Sequence, residues 1–365
     1  MKMTEPSLWW SVRRGLDKRL KELLKSIEEV WMGCWKGVFQ GKIADATAYQ
    51  ALKSSVTTVL VKAAKYKLHC CNKRLLEAVL DSDLTAYQLS VAVCRLFGIA
   101  HSHPAHDSLV QLMQLRAVKD NPERHPVILI LDKAIQALPW ESVPILQKNP
   151  VSRVPSLAYL QAQLWYYSQT LDNVYIRGAD TSKTYFILNP SNDIPKTQAQ
   201  FENVFKGQGW PGVIGQPPQK EEFQAAIAGK DVILYCGHGS GREYLSGDLI
   251  EQTLCRACPI LMGCGSGRLK VSGPKIEPWG VVLQYWLGGS PCVVANLWDV
   301  TDRDIDRFTE GLLTSWIPTL VTKTHVPDIT KAVQVARKAC KLQYLIGAAP
   351  VVYGIPVHSM GARQS

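Results

Sequence analysis

A chain of 365 residues that is 46% hydrophobic and 20% charged has ordinary globular composition and enough length for two packed cores. No run approaches the roughly 20 apolar residues of a membrane span, and the start "MKMTEPSLWWSVRRG" lacks the apolar middle of a signal peptide, so neither membrane insertion nor secretion is expected. The net charge of +10 favours acidic partners, but with no zinc-finger spacing, aromatic-basic RNA motif or long Lys/Arg block, specific nucleic-acid reading is not expected.

Ten cysteines are few for this length, include the adjacent Cys70 and Cys71, and sit largely in apolar runs, which points to a reducing compartment. Cys255 and Cys258 in "CRAC" have no second pair at ligand spacing. They read as small buried hydrophobes.

Residues 8 to about 118 carry helical spacing. Leu16, Leu20, Leu23, Leu24, Ile27, Val30 and Trp31 form one apolar series, and Leu52, Val56, Val59, Leu60 and Ala63 form another. A third helix has both end signals, a capping box at Thr85 and Gln88 and a stop at Gly98. The following stretch, with His101, His103 and His106 near Asp107, reads as a polar surface loop.

The pattern then changes. A short apolar strand is expected at 127–131, a helix at about 154–169, and then alternating strands (185–188, 232–235, 259–263, 292–297) and helices (196–206, 219–229, 279–288, 302–316, 328–342). This alternation predicts an α/β layer with a mainly parallel sheet, in which sites form at the carboxyl ends of strands.

Three such ends carry chemistry. "YCGHGSG" frames His238 with glycines, and "LMGCGSGRL" does the same for Cys264. A catalytic thiol needs an imidazole within reach, and sequential parallel strands lie close together. Small neighbours free local N–H groups, so the backbone N–H of Gly239 and of Cys264 are expected to form an oxyanion hole. Ser266 fails the spacing of a nucleophile elbow, because Cys264 stands where the first glycine belongs. At the third end, "NLWDVTDRDIDRF", Asp304 and Asp306 suit the positive end of a helix dipole, with Thr301 as N-cap. Asp299 and Asp302 fall beside the expected catalytic groups, where a carboxylate next to the aromatic wall of Trp298 suits a guanidinium.

These motifs, with "GGSPCVVANLWDVTDRDIDRF", "YLIGAAPVVYGIPV", "LPWESVP", "YFILNPSND" and "GWPGVIGQ", resemble the C-terminal protease region of the separase family over most of residues 125–365. The 26 positions between His238 and Cys264 are similar to that family as well. The resemblance implies a caspase-like α/β fold with a mainly parallel central sheet flanked by helices, preceded by a helix-rich, noncatalytic, pseudoprotease-like domain. The corresponding division is 1–180 and 181–365.

It further implies an arginine-specific cysteine endopeptidase that cuts the kleisin subunit of cohesin after Glu-x-x-Arg, triggering sister chromatid separation. His238 would be the general acid/base, Cys264 the nucleophile, and Asp299 or Asp302 the P1 arginine partner, with no metal and no organic cofactor. Securin is implied as a pseudosubstrate inhibitor, the remaining N-terminal region of a separase as a partner, and cytoplasm, nucleus, chromosomes and spindle as locations. Gly265 departs from the serine that commonly follows the nucleophile in the family. The chain is also much shorter than separases and is expected to be a C-terminal fragment. A competing expectation is a noncatalytic scaffold that binds securin-like or cohesin-like segments.

Overall fold

The computed structural model describes residues 6–44, 50, 54, 58, 59, 62, 70–114, 123–170, 172–271, 273, 276–320 and 328–360. By compactness the chain forms two units, one made of residues 1–21, 128–142 and 151–365, the other of 22–127 and 143–150.

The second unit is helical. Helix α1 (Pro6–Ser26), whose residues up to 21 count with the first unit, runs into a π-helical turn (Ile27–Met32), which changes the local winding. Of the apolar series expected there, Leu24 is buried, whereas Leu16, Leu23, Val30 and Trp31 are exposed. The second expected helix lies mostly outside the described residues. Helices α2 (Cys70–Leu80), α3 (Ala86–Phe97) and α4 (His106–Gln114) enclose Leu76, Val79, Leu89, Val93, Leu109 and Met113. The capping box at Thr85 and Gln88 is present, and Gly98 ends α3 in the left-handed conformation.

The first unit is a mainly parallel sheet between helices. Its strands are β1 (Val127–Ile130), β2 (Val151–Val154), β3 (Thr184–Leu188), β4 (Gly212–Ile214), β5 (Val232–Cys236), β6 (Cys258–Leu261), β7 (Cys292–Asn296) and β8 (Pro350–Gly354). Among the described residues they lie in the order β1-β2-β8-β7-β6-β5-β3-β4, with the β7–β8 pair antiparallel. The fold class is therefore the one expected. Strands β2, β4 and β8 were not expected, and β6 and β7 end one to two residues sooner than predicted.

Every residue of β3, β5, β6, β7 and β8 is buried, as a sheet covered on both faces requires. Alternate residues divide between two cores. Phe186, Leu188, Val232, Leu234, Ile260, Val294 and Val352 face α7 (Pro195–Gly207), α11 (Asp302–Trp316) and α12 (Ile329–Ala336). Tyr185, Ile187, Ile233, Leu261, Val293 and Val351 face α8 (Lys220–Gly229), α9 (Gly247–Gln252) and α10 (Val281–Leu287). The remaining helices are α5 (Leu157–Gln169) and the single turn α6 (Val174–Arg177).

From β3 the chain passes through α7 to the edge strand β4, then returns to the other side of β3 as β5 and continues toward β6 and β7. The connections thus diverge at the carboxyl ends of β3 and β5. A crevice at such a switch point is where open α/β sheets hold their ligands.

Candidate active site

The histidine loop begins where β5 stops at Cys236. Tyr235 donates its hydroxyl to the His238 carbonyl at 2.6 Å, and burial pushes that phenol far above its ordinary pKa, so it remains a donor. Gly239 follows with φ +58°, a left-handed conformation that glycine adopts without strain. At the next strand end, a Cβ on Gly263 would lie 2.0 Å from the Gly239 carbonyl oxygen and 2.5 Å from that of Gly237. Only a hydrogen fits there, and this lets the histidine and cysteine loops lie directly against each other.

The cysteine loop is tied down from beneath. Gly265 and Gly267 donate their N–H groups to the carbonyls of Trp298 and Asn296, and the Asn296 amide donates to the Gly263 carbonyl at 3.0 Å. Ser266 is buried, donating to the Leu261 carbonyl and accepting from the Asn296 N–H. Its hydroxyl braces the loop, in keeping with its failure as a nucleophile elbow.

Cys264 is half-buried and its thiol donates to the Val300 carbonyl at 3.3 Å. Among the cysteines of described burial, only Cys94 and Cys264 are not fully buried. Burial pushes the thiols of Cys255 and Cys340 up to about 12 and raises Cys236 and Cys258 further, which leaves them unreactive at neutral pH. Cys255 and Cys258 lie in the two cores, as small hydrophobes do.

The imidazole has a partner that the sequence reading missed. His238 Nε2 stands 2.9 Å from Asp193 Oδ2, both side chains being about half exposed. Asp193 is delivered by the turn after β3. Asn189, at φ 53°, accepts the N–H groups of Asp193 and Ile194 on its side-chain oxygen. The signal lay in "NPSND", a turn-forming run at a strand end, from which no role for Asp193 followed because Asp and Asn are common in turns generally.

His238 and Cys264 line one small cleft together with Gly237, Gly263, Ile194, Thr197, Val300, Asp302, Ile305 and Asp306. Among the described residues no hydrogen bond joins the thiol directly to the imidazole, and the N–H groups of Gly239 and Cys264 have no acceptor within the chain.

The acidic residues are distributed differently from expectation. Asp302, the first residue of α11, lines the cleft. Asp299 does not. Its side chain is 72% exposed and pairs with Arg268 at 3.0 Å, while Trp298 donates its indole N–H to the Leu345 carbonyl. Asp304 also leaves the cleft, accepting the N–H groups of Lys341 and Leu342 and an Arg307 bond.

Asp306, expected to serve only the helix dipole, is 5% exposed and accepts from Thr197 at 2.9 Å. Burial, reinforced by the charge of Asp302 against the opposing Thr197 bond, raises its carboxyl to about 7. A helical step of four residues places Asp302 and Asp306 on the same face, which is why the second follows the first into the cleft.

A half-buried thiol and an imidazole thus line one cleft at the carboxyl ends of adjacent strands of a mainly parallel sheet. The family model described as "Separin, protease domain" matches residues 2–305. The chain is 37% identical over 362 residues to separin of Mus musculus, an alignment that covers 97% of this chain and 16% of the mouse protein. Against separin of Schizosaccharomyces pombe it is 36% identical, with 96% and 20% covered. The crystal structure of the Saccharomyces cerevisiae separase–securin complex superimposes with a TM-score of 0.82 at 27% identity, covering 99% of this chain and 26% of that one. The chain belongs to the separin protease-domain family. It spans about a sixth to a quarter of the length of the relatives it matches.

Proposed function

We propose that this chain is an arginine-specific cysteine endopeptidase domain that cuts the kleisin subunit of cohesin after Glu-x-x-Arg, releasing sister chromatids. The observation that carries this reading is one cleft holding a thiol, an imidazole and two carboxylates, one of them buried.

In this mechanism His238 takes the Cys264 thiol proton as the sulfur attacks the carbonyl carbon of the P1 arginine. The N–H groups of Gly239 and Cys264 bind the oxyanion, and the protonated His238 returns that proton to the leaving amine as the C–N bond breaks and the thioester forms. Water, deprotonated by His238, then hydrolyses the thioester. Asp193 accepts a hydrogen bond from Nε2–H, which leaves the Nδ1 lone pair to take the thiol proton. Asp302 and Asp306 receive the guanidinium, because a buried carboxylate is costly until a cation joins it.

Residues 1–180 are read as the pseudoprotease-like part and 181–365 as the catalytic part, with β1 and β2 of the first completing the sheet of the second. The similar solved chain is bound to securin. On this reading securin occupies the same cleft as a pseudosubstrate here, the rest of a separase packs on this domain, and the protein acts in cytoplasm and nucleus, at chromosomes and spindle.

Cleavage of a Glu-x-x-Arg peptide and of its Lys and Ala counterparts tests the specificity. Arginine is expected to lead by about 100-fold or more in kcat/KM. Equal rates for all three would end the arginine assignment, whereas no cleavage of any would end the endopeptidase reading.

A further inference from the structure

The stretch "SHPAHDS", residues 102–108, was expected to be a polar surface loop, but His101 just before it and His106 within it converge on a helix. Ser90 and Cys94 are one turn apart on α3 and share a face. After Gly98 the chain doubles back. His101 Nδ1 comes to 3.0 Å from Ser90 Oγ and 3.6 Å from Cys94 Sγ. His106, the first residue of α4, is 5% exposed and brings Nε2 to 2.9 Å from the same Ser90 oxygen. The Cys94, His101 and His106 ligand atoms all lie within 4.8 Å of one another.

The geometry points to a zinc-binding site formed by Cys94, His101 and His106. One thiolate and two imidazoles make a borderline-soft set that suits Zn2+ and not Mg2+ or Ca2+. His106 Nδ1 lies 2.9 Å from Asp107 Oδ1, which keeps the proton on Nδ1 and turns the Nε2 lone pair toward the cluster. A carboxylate behind a ligating histidine is the usual support in such sites.

The spacing also fits. Tetrahedral zinc bonded at about 2.3 Å to sulfur and 2.0–2.1 Å to nitrogen separates S from N by about 3.6 Å and N from N by about 3.3 Å. The Cys94–His101 separation is already 3.6 Å. Side-chain rotation of about 1.5 Å or less closes the remainder.

Without an ion, Ser90 donates to His106 Nε2 and accepts from His101 Nδ1–H, while the Cys94 sulfur makes only a 3.6 Å contact with the same His101 nitrogen. When zinc enters, Cys94 loses its thiol proton to solvent and His101 moves its ring proton to Nε2. Ser90 releases both rings, and its hydroxyl or a water fills the fourth position. One proton is released per ion and nothing is oxidised. The ion would join the last turn of α3 to the first turn of α4, a structural clamp independent of the protease reading.

The test uses the full chain carrying Cys264→Ser, so that the cleft thiol cannot supply a zinc ligand, after stripping with a chelator. Added Zn2+ should remain after desalting at about one ion per chain, and Co2+ in its place should show a thiolate charge-transfer band. Both should be lost in Cys94→Ser and in His101→Ala, which alter side chains that are not fully buried and should leave the circular dichroism unchanged. Asp107→Asn should weaken zinc binding about 10- to 100-fold. Failure of the stripped protein to retain zinc overturns the site. Equal retention in Cys94→Ser and His101→Ala does so too, since the ion would then be adventitious only.

Discussion

His238 Nε2 and Asp193 Oδ2 are 2.9 Å apart, so the imidazole is oriented by a carboxylate from the end of β3 while the thiol stands at the end of β6. If that contact positions the acid/base, Asp193→Asn should lower kcat about 10-fold and leave KM nearly unchanged, as expected of a residue that acts through the imidazole. Asp193→Glu should recover part of the loss. An increase in KM at constant kcat would assign Asp193 to substrate binding instead.

Asp306 gives the site a pH dependence. Its carboxyl titrates at about 7 in the fold, above its unfolded value, so the folded state holds the extra proton between about pH 4 and 7. Stability from this group is therefore full at low pH and is lost as pH rises through 7. Asp306→Asn should remove that loss and make the protein about 1–4 kcal/mol more stable than wild type at pH 8 but not at pH 4, as read by urea unfolding. In a Cys264→Ser background, an uncleaved arginine peptide should bind more tightly at pH 8 than at pH 6, and Asp306→Asn should flatten that difference. A difference that persists in the variant would place the titrating group elsewhere.

Gly263→Ala tests the close approach of the two loops. Its methyl group would meet the Gly239 carbonyl at 2.0 Å, displacing the histidine loop and its free N–H donor. Turnover should fall by about 100-fold or more, the effect of losing an oxyanion donor, while far-UV dichroism stays the same. Retained turnover would show that the Gly239 N–H is not used.

Behind the sheet, Arg153 grips Glu141 with two charge-assisted bonds of 2.6 and 2.7 Å, and both side chains are almost fully buried. Burial alone would raise the Glu141 pKa, but the adjacent guanidinium outweighs it and holds the carboxyl below its usual range. Removing one partner strands the other charge, so Glu141→Ala should cost about 3–5 kcal/mol in urea unfolding. A loss under about 1 kcal/mol would mean that water or Arg337 relieves the pair.

Much of this arrangement was legible in the residues because a parallel sheet covered on both faces needs continuous apolar strands. The runs at β3, β5, β6 and β7 declared themselves, and glycines marked the ends that carry His238 and Cys264. Strand β2 includes the polar Ser152 and Arg153, which break its apolar run, β4 is only three residues long, and β8 is defined by pairing with β7 some sixty positions earlier. Asp193 and Asp306 were missed for a related reason. Each looks ordinary where it stands, in a turn and a first helical turn, and acquires a role only when β3, β5 and α11 meet at the switch point. Asp299, expected beside the catalytic groups, pairs with Arg268, a contact that its adjacency to Trp298 did not suggest.

The central claim is that Cys264 acts as a nucleophile on substrates whose arginine lies against Asp302 and Asp306. It is tested most directly by treating the folded protein with a thiol-reactive peptidyl-arginine probe and locating the adduct by mass spectrometry. The account predicts one adduct, on Cys264, absent in Cys264→Ser and formed far more slowly in Asp306→Asn. No adduct on the folded wild type, or one unaffected by Cys264→Ser, would contradict it and favour a noncatalytic scaffold.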